Sequence, residues 1–228
     1  IDSRYIHVDD KDCLDEVIIP SAVSEIHGTV FNNCTKLIWM TMDVSTDLTG
    51  GAILFNTYPS KIKLTGNGPS SDYVDDNKYE WTPWYHPDTG TVEVTVEEGV
   101  TSIGKWMFRD ARNITSVSLP SGIQTIGGYA FYLCESLEFM DIPSTVTDIG
   151  DSAFQYCDKL VDLTFPAGAN VGSFAFADNS IVYITVTGDA SRSYESSFES
   201  MPWKNSRCDV EVVVSEEVTA IGAHMFRG

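Results

Sequence analysis

Hydrophobic and polar residues alternate in short stretches along this chain, and the stretches recur. In "LEFMDIP", residues 137–143, Leu137, Met140 and Ile142 fall on one side, whereas Phe139 and Asp141 fall on the other. Such alternation predicts a short β-strand with one buried face. The proline that closes the stretch ends the strand, because it has no N–H to donate to a neighbouring strand.

A turn segment with its own pattern follows each strand. In "STVTDIGDSAFQYC", residues 144–157, Gly150 follows an isoleucine, and we expect it to take a positive φ at a corner of the chain. The next residues are too few for an independent helix. We expect them to form one short helical turn that buries Ala153, Phe154 and Cys157.

The same phrase returns along the whole sequence at intervals of 22 to 29 residues. Its aromatic residues are Phe31, Phe55, Trp84, Phe108, Phe131, Phe154, Phe176, Trp203 and Phe226. Intervals of this length are typical of leucine-rich-type solenoids, in which a coil buries its inner side chains only by stacking on its neighbours. We therefore predict a right-handed leucine-rich-repeat solenoid, rich in β-structure, with a parallel sheet on one side and short helical turns and loops on the other.

The repeat extends over the chain as a single domain, residues 1–228. Two coils, at 59–84 and 180–203, are longer than the rest and contain loops rich in Ser, Asp and Gly before a Pro-Trp pair. We expect these coils to be irregular. The sequence begins and ends inside the repeat pattern, which indicates a fragment of a longer protein.

Five cysteines are spread widely, without a C-x-x-C motif. An odd number at this spacing argues against a disulfide framework and a structural zinc site. Cys34, Cys134 and Cys157 each lie three residues after a repeat phenylalanine. We predict that these three are buried, unbridged thiols, since a cysteine locked to one repeat position usually packs as a small side chain.

Charge and hydropathy exclude several classes of partner. The chain has 14 Lys and Arg against 33 Asp and Glu, a formal net charge of −19. Such a surface repels phosphate backbones and anionic lipids, so we expect no nucleic-acid partner. The sequence contains no run of 18 apolar residues and so predicts no membrane span, and no signal peptide is recognisable at Ile1.

No single-copy constellation of catalytic residues is apparent. The four histidines form no H-x-x-x-H pair, and the sequence has no G-x-S-x-G, P-loop or G-x-G-x-x-G motif. "DYVDDN", residues 72–77, lacks the spacing and the closing Glu of a calcium loop. We therefore expect no enzyme activity, no metal and no cofactor within this chain.

Residues 116–160, "SVSLPSGIQTIGGYAFYLCESLEFMDIPSTVTDIGDSAFQYCDKL", carry a specific resemblance. They are similar to the BspA-like (Treponema-type) leucine-rich repeats, whose consensus resembles L-x-x-I-x-I-P-x-x-V-x-x-I-G-x-x-A-F-x-x-C-x-x-L. The resemblance covers about residues 14 to 228, with departures at Tyr58, Ala111 and Asn179, where cysteine would stand. It implies a cell-surface or secreted protein used for attachment or recognition, with no catalytic residues in the repeat.

Repeat proteins commonly bind ligands on the surface formed by the outward side chains of their strands. Strand periodicity places on this surface Ile38, Trp39, Thr41, Ser60, Lys61, Lys63, Val92, Glu93, Thr95, Thr115, Ser116, Ser118, Glu138, Phe139, Asp141, Val161, Asp162, Thr164, Val182, Tyr183 and Thr185.

Three aromatic and two acidic residues of that set are the predicted partner-binding residues: Trp39, Phe139, Tyr183, Asp141 and Asp162. Exposed aromatic residues on a sheet act as protein hot spots or as platforms for sugars, although cross-strand packing also accounts for Phe139 and Tyr183. We predict a recognition or adhesion module that binds a protein, on the host or a cell surface. A carbohydrate-binding or purely structural spacer domain is the alternative.

Overall fold

A computed structural model describes residues 14–27, 30–31, 33–50, 54, 57, 59–73, 84, 90–188, 202–204 and 209–221. These residues form stacked coils, and each complete coil contributes one longer and one shorter strand. We number the strands β1 to β16 in chain order. All of their pairings are parallel.

The longer strands build one side of the stack in two sheets. The first sheet has the order β1 (Glu16–Ile19), β3 (Trp39–Asp43), β5 (Lys61–Thr65), β7 (Val92–Val96) and β9 (Ile114–Ser118). The second has the order β11 (Phe139–Asp141), β13 (Asp162–Pro166), β15 (Tyr183–Thr187) and β16 (Glu211–Val214). Between β9 and β11 the regular pairing is interrupted, and the N–H of Glu138 donates to the carbonyl of Thr115 at 3.5 Å.

The shorter strands form a second side. Five of them pair in the order β14 (Asn170–Val171), β12 (Asp148–Ile149), β10 (Thr125–Ile126), β8 (Val100–Ile103) and β6 (Gly68–Pro69). A further pair joins β2 (Glu25–His27) to β4 (Asp47–Gly50). This side continues without interruption from β8 to β12, so it bridges the break between the two sheets of longer strands.

Strand alternation gives the coil one buried and one exposed surface, as predicted. Leu137, Met140 and Ile142 are buried, whereas Phe139 and Asp141 are exposed. One member of the predicted outward set is wrong. Val92 is buried, because the register changes between Val92 and Glu93 and pairs Val92 with the buried Ile114.

The repeat aromatic residues stack through the interior, as predicted for adjacent coils. Ring centroids are 5.4 Å apart from Phe108 to Phe131, 5.1 Å from Phe131 to Phe154 and 5.4 Å from Phe154 to Phe176, with planes within 14° of each other. Trp84 and Trp203 extend the ladder at its two ends. Phe55 and Phe226 lie outside the described residues.

The predicted short helical turns are wrong: the described residues contain no helix. In the turn segments, amides alternate between two kinds of acceptor. The N–H of Phe131 donates to Ala153 of the next coil at 2.8 Å, whereas the N–H of Tyr132 donates locally to Tyr129. Positive φ at Tyr129 and Leu133 breaks any helical path. Because half of the amides bond to the next coil, the hydrogen bonds that would define a helix are not made.

The predicted role of Gly150 is also wrong, since its φ is not positive. A Cβ added there would lie 2.3 Å from the backbone N of Gly128 in the preceding coil. Gly104, Gly127 and Gly172 occupy the equivalent positions and meet backbone or nearby atoms at 2.1 to 2.6 Å. The repeated glycine is therefore needed for close approach of adjacent coils, not for an unusual dihedral angle.

The prediction of buried, unbridged thiols is confirmed for Cys34, Cys134 and Cys157. The Sγ of Cys134 donates to the carbonyl of Phe108 at 3.3 Å, and the Sγ of Cys157 donates to that of Phe131 at 3.2 Å. Each thiol thus satisfies a buried carbonyl of the preceding coil. Nearer the N-terminus, the hydroxyl of Thr57 donates in the same way to the carbonyl of Phe31.

Burial raises the pKa of both Cys134 and Cys157 above the ordinary value for a thiol. In the unfolded chain these thiols ionise at roughly pH 8.5, while in the folded chain they stay protonated. The unfolded state therefore loses protons first, and stability falls as pH rises above roughly 8.5, by up to about 1.4 kcal/mol per pH unit for each thiol. Below that pH the contribution is constant.

A Cys134→Ala/Cys157→Ala double variant should therefore lose less stability than the wild type between pH 8 and pH 10.5. Urea unfolding at several pH values measures the difference, and comparing the two proteins cancels the titration of Tyr and Lys. Parallel stability curves for the two proteins would contradict the assignment.

Candidate functional site

The outward side chains of the longer strands lie on one side of the stack, and we call this surface the strand face. In its first sheet, the register aligns Glu16, Trp39, Lys61, Glu93 and Ser116 across β1, β3, β5, β7 and β9. In its second sheet, Phe139, Asp162, Tyr183 and Glu211 align across β11, β13, β15 and β16. The two sheets give the strand face an N-terminal half and a C-terminal half.

The N-terminal half contains cations that are already paired. Lys61 Nζ lies 4.9 Å from the ring centroid of Trp39 and 3.5 Å from Oε2 of Glu93. Lys63, two residues along the same strand, pairs with Glu97. The ring of Trp39, although 43% exposed, is therefore partly covered by the protein's own lysine.

The C-terminal half brings together four of the five predicted partner-binding residues. Phe139 and Tyr183 are 49% and 51% exposed, and Asp162 lies between them in register. Asp141 lies two residues further along β11 on the same face and is also exposed. The fifth, Trp39, lies in the other half, so the predicted residues do not form a single cluster.

The sequence around the C-terminal half is strongly acidic. From residue 114 to residue 187 the only basic residue is Lys159, against the eight acids Glu135, Glu138, Asp141, Asp148, Asp151, Asp158, Asp162 and Asp178. Within the described part of the chain, no Lys or Arg forms an ion pair with Asp141, Asp162 or Glu211. In the described residues, this half of the strand face therefore presents carboxylates without an ion-pair partner beside exposed aromatic rings.

A second aromatic group, which the sequence reasoning missed, lies on the turn segments. It consists of Trp106, Tyr129, Tyr132 and Tyr156, with successive ring centroids 5.4 to 6.3 Å apart. We call it the turn cluster. The planes of successive rings are inclined by 37° to 88°, so the rings share no flat surface. Alignment of the coils on their buried phenylalanines reveals part of it, because Trp106 and Tyr129 both stand two residues before such an anchor.

Arg109 lies over the ring of Tyr132, with Cζ 5.6 Å from the ring centroid. Burial, together with the nearby Tyr156, raises the pKa of Tyr132 above its ordinary value, while Arg109 acts in the opposite direction. The cation of the turn cluster is thus already engaged with a ring of the protein. Such packing gives the turn cluster a structural role in joining adjacent coils.

The acidic stretch at residues 72–77 and the two irregular loops add no described contact to this site. Residues 74–77 of the stretch 72–77, and the irregular loops at 74–83 and 189–201, lie outside the described residues. Among the described residues, no group of three His, Cys, Asp or Glu side chains is arranged to hold a metal ion. No helix in that part of the chain is long and apolar enough to cross a membrane.

The coil geometry and the repeated residues agree with a known family. The family model described as BspA type leucine rich repeat region matches residues 9–75 and 88–204, with six copies. The chain belongs to the BspA-type leucine-rich repeat family. The unmatched stretch of this BspA-type chain between residues 75 and 88 falls largely in the first of the two long coils that the sequence predicts to be irregular.

Solved structures with a similar fold are bacterial leucine-rich repeat proteins. One from Bacteroides ovatus is 20% identical, with a TM-score of 0.45, over 76% of this chain and 37% of the other. One from T. pallidum is 19% identical, with a TM-score of 0.38, over 78% of this chain and 61% of the other. A third, from Eubacterium ventriosum, is 20% identical, with a TM-score of 0.45, over 93% and 75%. No curated protein matches this chain.

The BspA-type chain therefore spans less than two thirds of the length of the first two solved proteins.

Proposed function

We propose that this BspA-type region is a non-enzymatic recognition module of a secreted or cell-surface protein, and that it binds a protein partner through the strand face. The observation that carries the proposal is the exposure of Phe139 and Tyr183 beside Asp162 on a parallel sheet. Aromatic residues are enriched among the residues that contribute most to protein–protein binding. Packing within the coil does not require either ring, since both point away from the core.

The surroundings of the two rings support a protein partner. Val161 and Val213 are also exposed near them, so the apolar surface extends beyond the rings themselves. Exposed apolar surface rimmed by charged residues is typical of an interaction site. A carbohydrate is the second candidate ligand, because one or two exposed aromatic residues flanked by carboxylates also suit sugar stacking.

A binding screen tests this proposal. We expect a Trp39→Ala/Phe139→Ala/Tyr183→Ala variant to lose at least about tenfold in affinity for any extracellular matrix protein that the wild type binds, as expected when hot-spot residues are truncated. The screen includes a panel of glycans, and surface plasmon resonance gives the dissociation constants.

The matched control is Tyr129→Ala, which removes an exposed aromatic side chain from the turn cluster instead of the strand face. This control should bind like the wild type. If the triple variant keeps its circular dichroism spectrum and binds every hit as the wild type does, the strand face is not the site. Hits confined to glycans would replace the protein partner by the second candidate.

A further inference from the structure

We propose that Phe139, Asp162 and Tyr183 form a receptor for a lysine or arginine side chain of the partner protein. The inference rests on the proposed function and adds the chemistry of the group that is recognised. Its basis is a comparison of the two halves of the strand face, which share one backbone geometry but differ in their charges.

The N-terminal half displays the complete arrangement within the protein itself. Trp39 and Lys61 are register partners on adjacent strands, and Glu93 follows on the next strand. Lys61 Nζ lies 4.9 Å from the ring centroid and 3.5 Å from the carboxylate. On this sheet, a cation on one strand can therefore contact a ring on one neighbouring strand and a carboxylate on the other. The distance from the cation to the ring centroid is within the range over which a ring attracts a cation.

The C-terminal half also carries aromatic and acidic side chains in one row, but in a different order and with no cation in that row. Its register places aromatic, acidic, aromatic and acidic side chains on successive strands, at Phe139, Asp162, Tyr183 and Glu211. Parallel strands lie about 4.8 Å apart, so a cation above Asp162 is about one strand spacing from each ring position. This is within the roughly 6 Å over which cation–π attraction acts.

Among the described residues, the structure places no cation of the protein at this position. In the described residues, Asp162 has no basic partner, and Arg112 is bonded to Asp110 and Glu135 at 2.7 and 3.1 Å. Lys204 lies over the ring of Phe174 at 5.5 Å. Charge complementarity therefore favours a positively charged side chain from outside, and an anionic group would be repelled by Asp141 and Asp162.

The test begins with a library of random 12-residue peptides displayed on phage. The library is selected on the wild-type protein after depletion on a folded Phe139→Ala/Tyr183→Ala variant. We expect the selected peptides to contain a shared Arg or Lys. Isothermal titration calorimetry then measures each peptide against the wild type, Asp162→Asn and Asp148→Asn. Asp148 provides the control, because it is an exposed carboxylate on β12, on the other side of the coil.

We expect Asp162→Asn to weaken binding of an Arg-containing peptide by about tenfold, as for loss of a charge-assisted contact, and Asp148→Asn to leave it unchanged. Replacing the peptide's Arg by neutral citrulline should weaken binding to the wild type by a similar factor. The same replacement should have little further effect on Asp162→Asn, because the two changes remove one interaction. Binding of the Arg peptide should also weaken with added salt.

The outcomes separate this inference from the function on which it rests. Selected peptides without a basic residue, or an Asp162→Asn variant that binds as tightly as the wild type, would overturn the cation receptor and leave the strand face as a protein-binding site. If the wild type selects no peptide beyond those that the Phe139→Ala/Tyr183→Ala variant also binds, both proposals fail.

Discussion

Replacing Phe154 by alanine is expected to lower the free energy of unfolding by about 3–5 kcal/mol, the usual range for emptying a buried aromatic site. The ring of Phe154 is fully buried between Phe131 and Phe176, at centroid distances of 5.1 and 5.4 Å. A cavity here interrupts the ladder in the middle of the stack, where both neighbouring coils lose contacts. Urea unfolding followed by circular dichroism measures the change, with the slope compared between proteins.

Phe139→Ala provides the matched comparison, since it removes the same ring from an exposed position in the same coil. Its expected cost is about 1 kcal/mol or less, as for most surface substitutions. A loss of less than 1 kcal/mol for Phe154→Ala would contradict the role of the phenylalanine ladder as the core of the solenoid.

Replacing Gly127 by alanine is expected to cost about 3 kcal/mol or more, the upper part of the range for over-packing. The added Cβ would lie 2.6 Å from the backbone N of Lys105 and 2.7 Å from the carbonyl carbon of Gly104. Both atoms belong to the backbone of the preceding coil, so relief of the contact requires that coil to move. Intercoil hydrogen bonds such as the one from Gly127 N–H to the carbonyl of Ile103, 2.8 Å, would then be strained.

The adjacent Gly128 offers a control with the same chemical change. A Cβ at Gly128 meets the carbonyl oxygen of Asp151 at 3.3 Å and its N at 3.7 Å, so a small shift accommodates it. We expect Gly128→Ala to change stability by less than about 1 kcal/mol, because alanine restricts the unfolded chain and this offsets the cost of the small shift. Equal effects at the two positions would show that close approach of the coils is not what Gly127 provides.

Much of the fold follows from the sequence because stacking imposes a repeat on the residues. The spacing of Phe131, Phe154 and Phe176 predicts their contacts, since equivalent residues of adjacent coils must lie next to each other. The strand alternation around Met140 predicts which side chains are exposed, because successive residues of a strand point to opposite faces. In this protein, the repeat pattern of the sequence therefore predicts contacts between distant residues more directly than it does in a globular domain.

The features that escaped prediction depend on where backbone groups of a neighbouring coil lie. The sequence of a seven-residue turn segment is compatible with a helical turn. In the structure, the carbonyl of Ala153 in the next coil accepts the N–H of Phe131, and the helical hydrogen bond is not made. A glycine after isoleucine is likewise compatible with a positive φ. In the structure, the reason for Gly150 is instead that an added Cβ would lie 2.3 Å from the backbone N of Gly128. Sequence pattern alone carries no signal for either distance.

The sequence predicted only part of the candidate site, because the register between strands of neighbouring coils is not visible in it. Periodicity along each strand identified Phe139, Asp162 and Tyr183 as outward residues, but their alignment in one row is a matter of register between strands. Intervals of 23 and 21 residues separate the three, so the coil length alone does not place them opposite one another. The turn cluster was missed because only Trp106 and Tyr129 share a column of the repeat, whereas Tyr132 and Tyr156 come from two other columns.

The interruption between β9 and β11 has a mechanical consequence. The hydrogen bonds that join successive coils are directed along the stack, so a pulling force on its two ends loads every junction in series. On the strand face, most junctions share that load over a strand ladder. Between β9 and β11 there is no ladder, and the described backbone bonds beside it run from Ser136 N–H to the carbonyl of Arg112 at 3.1 Å and from Glu138 N–H to that of Thr115 at 3.5 Å. Tension would therefore separate the strand face first at this junction, and the row of Phe139, Asp162 and Tyr183 would remain intact on one side of the gap.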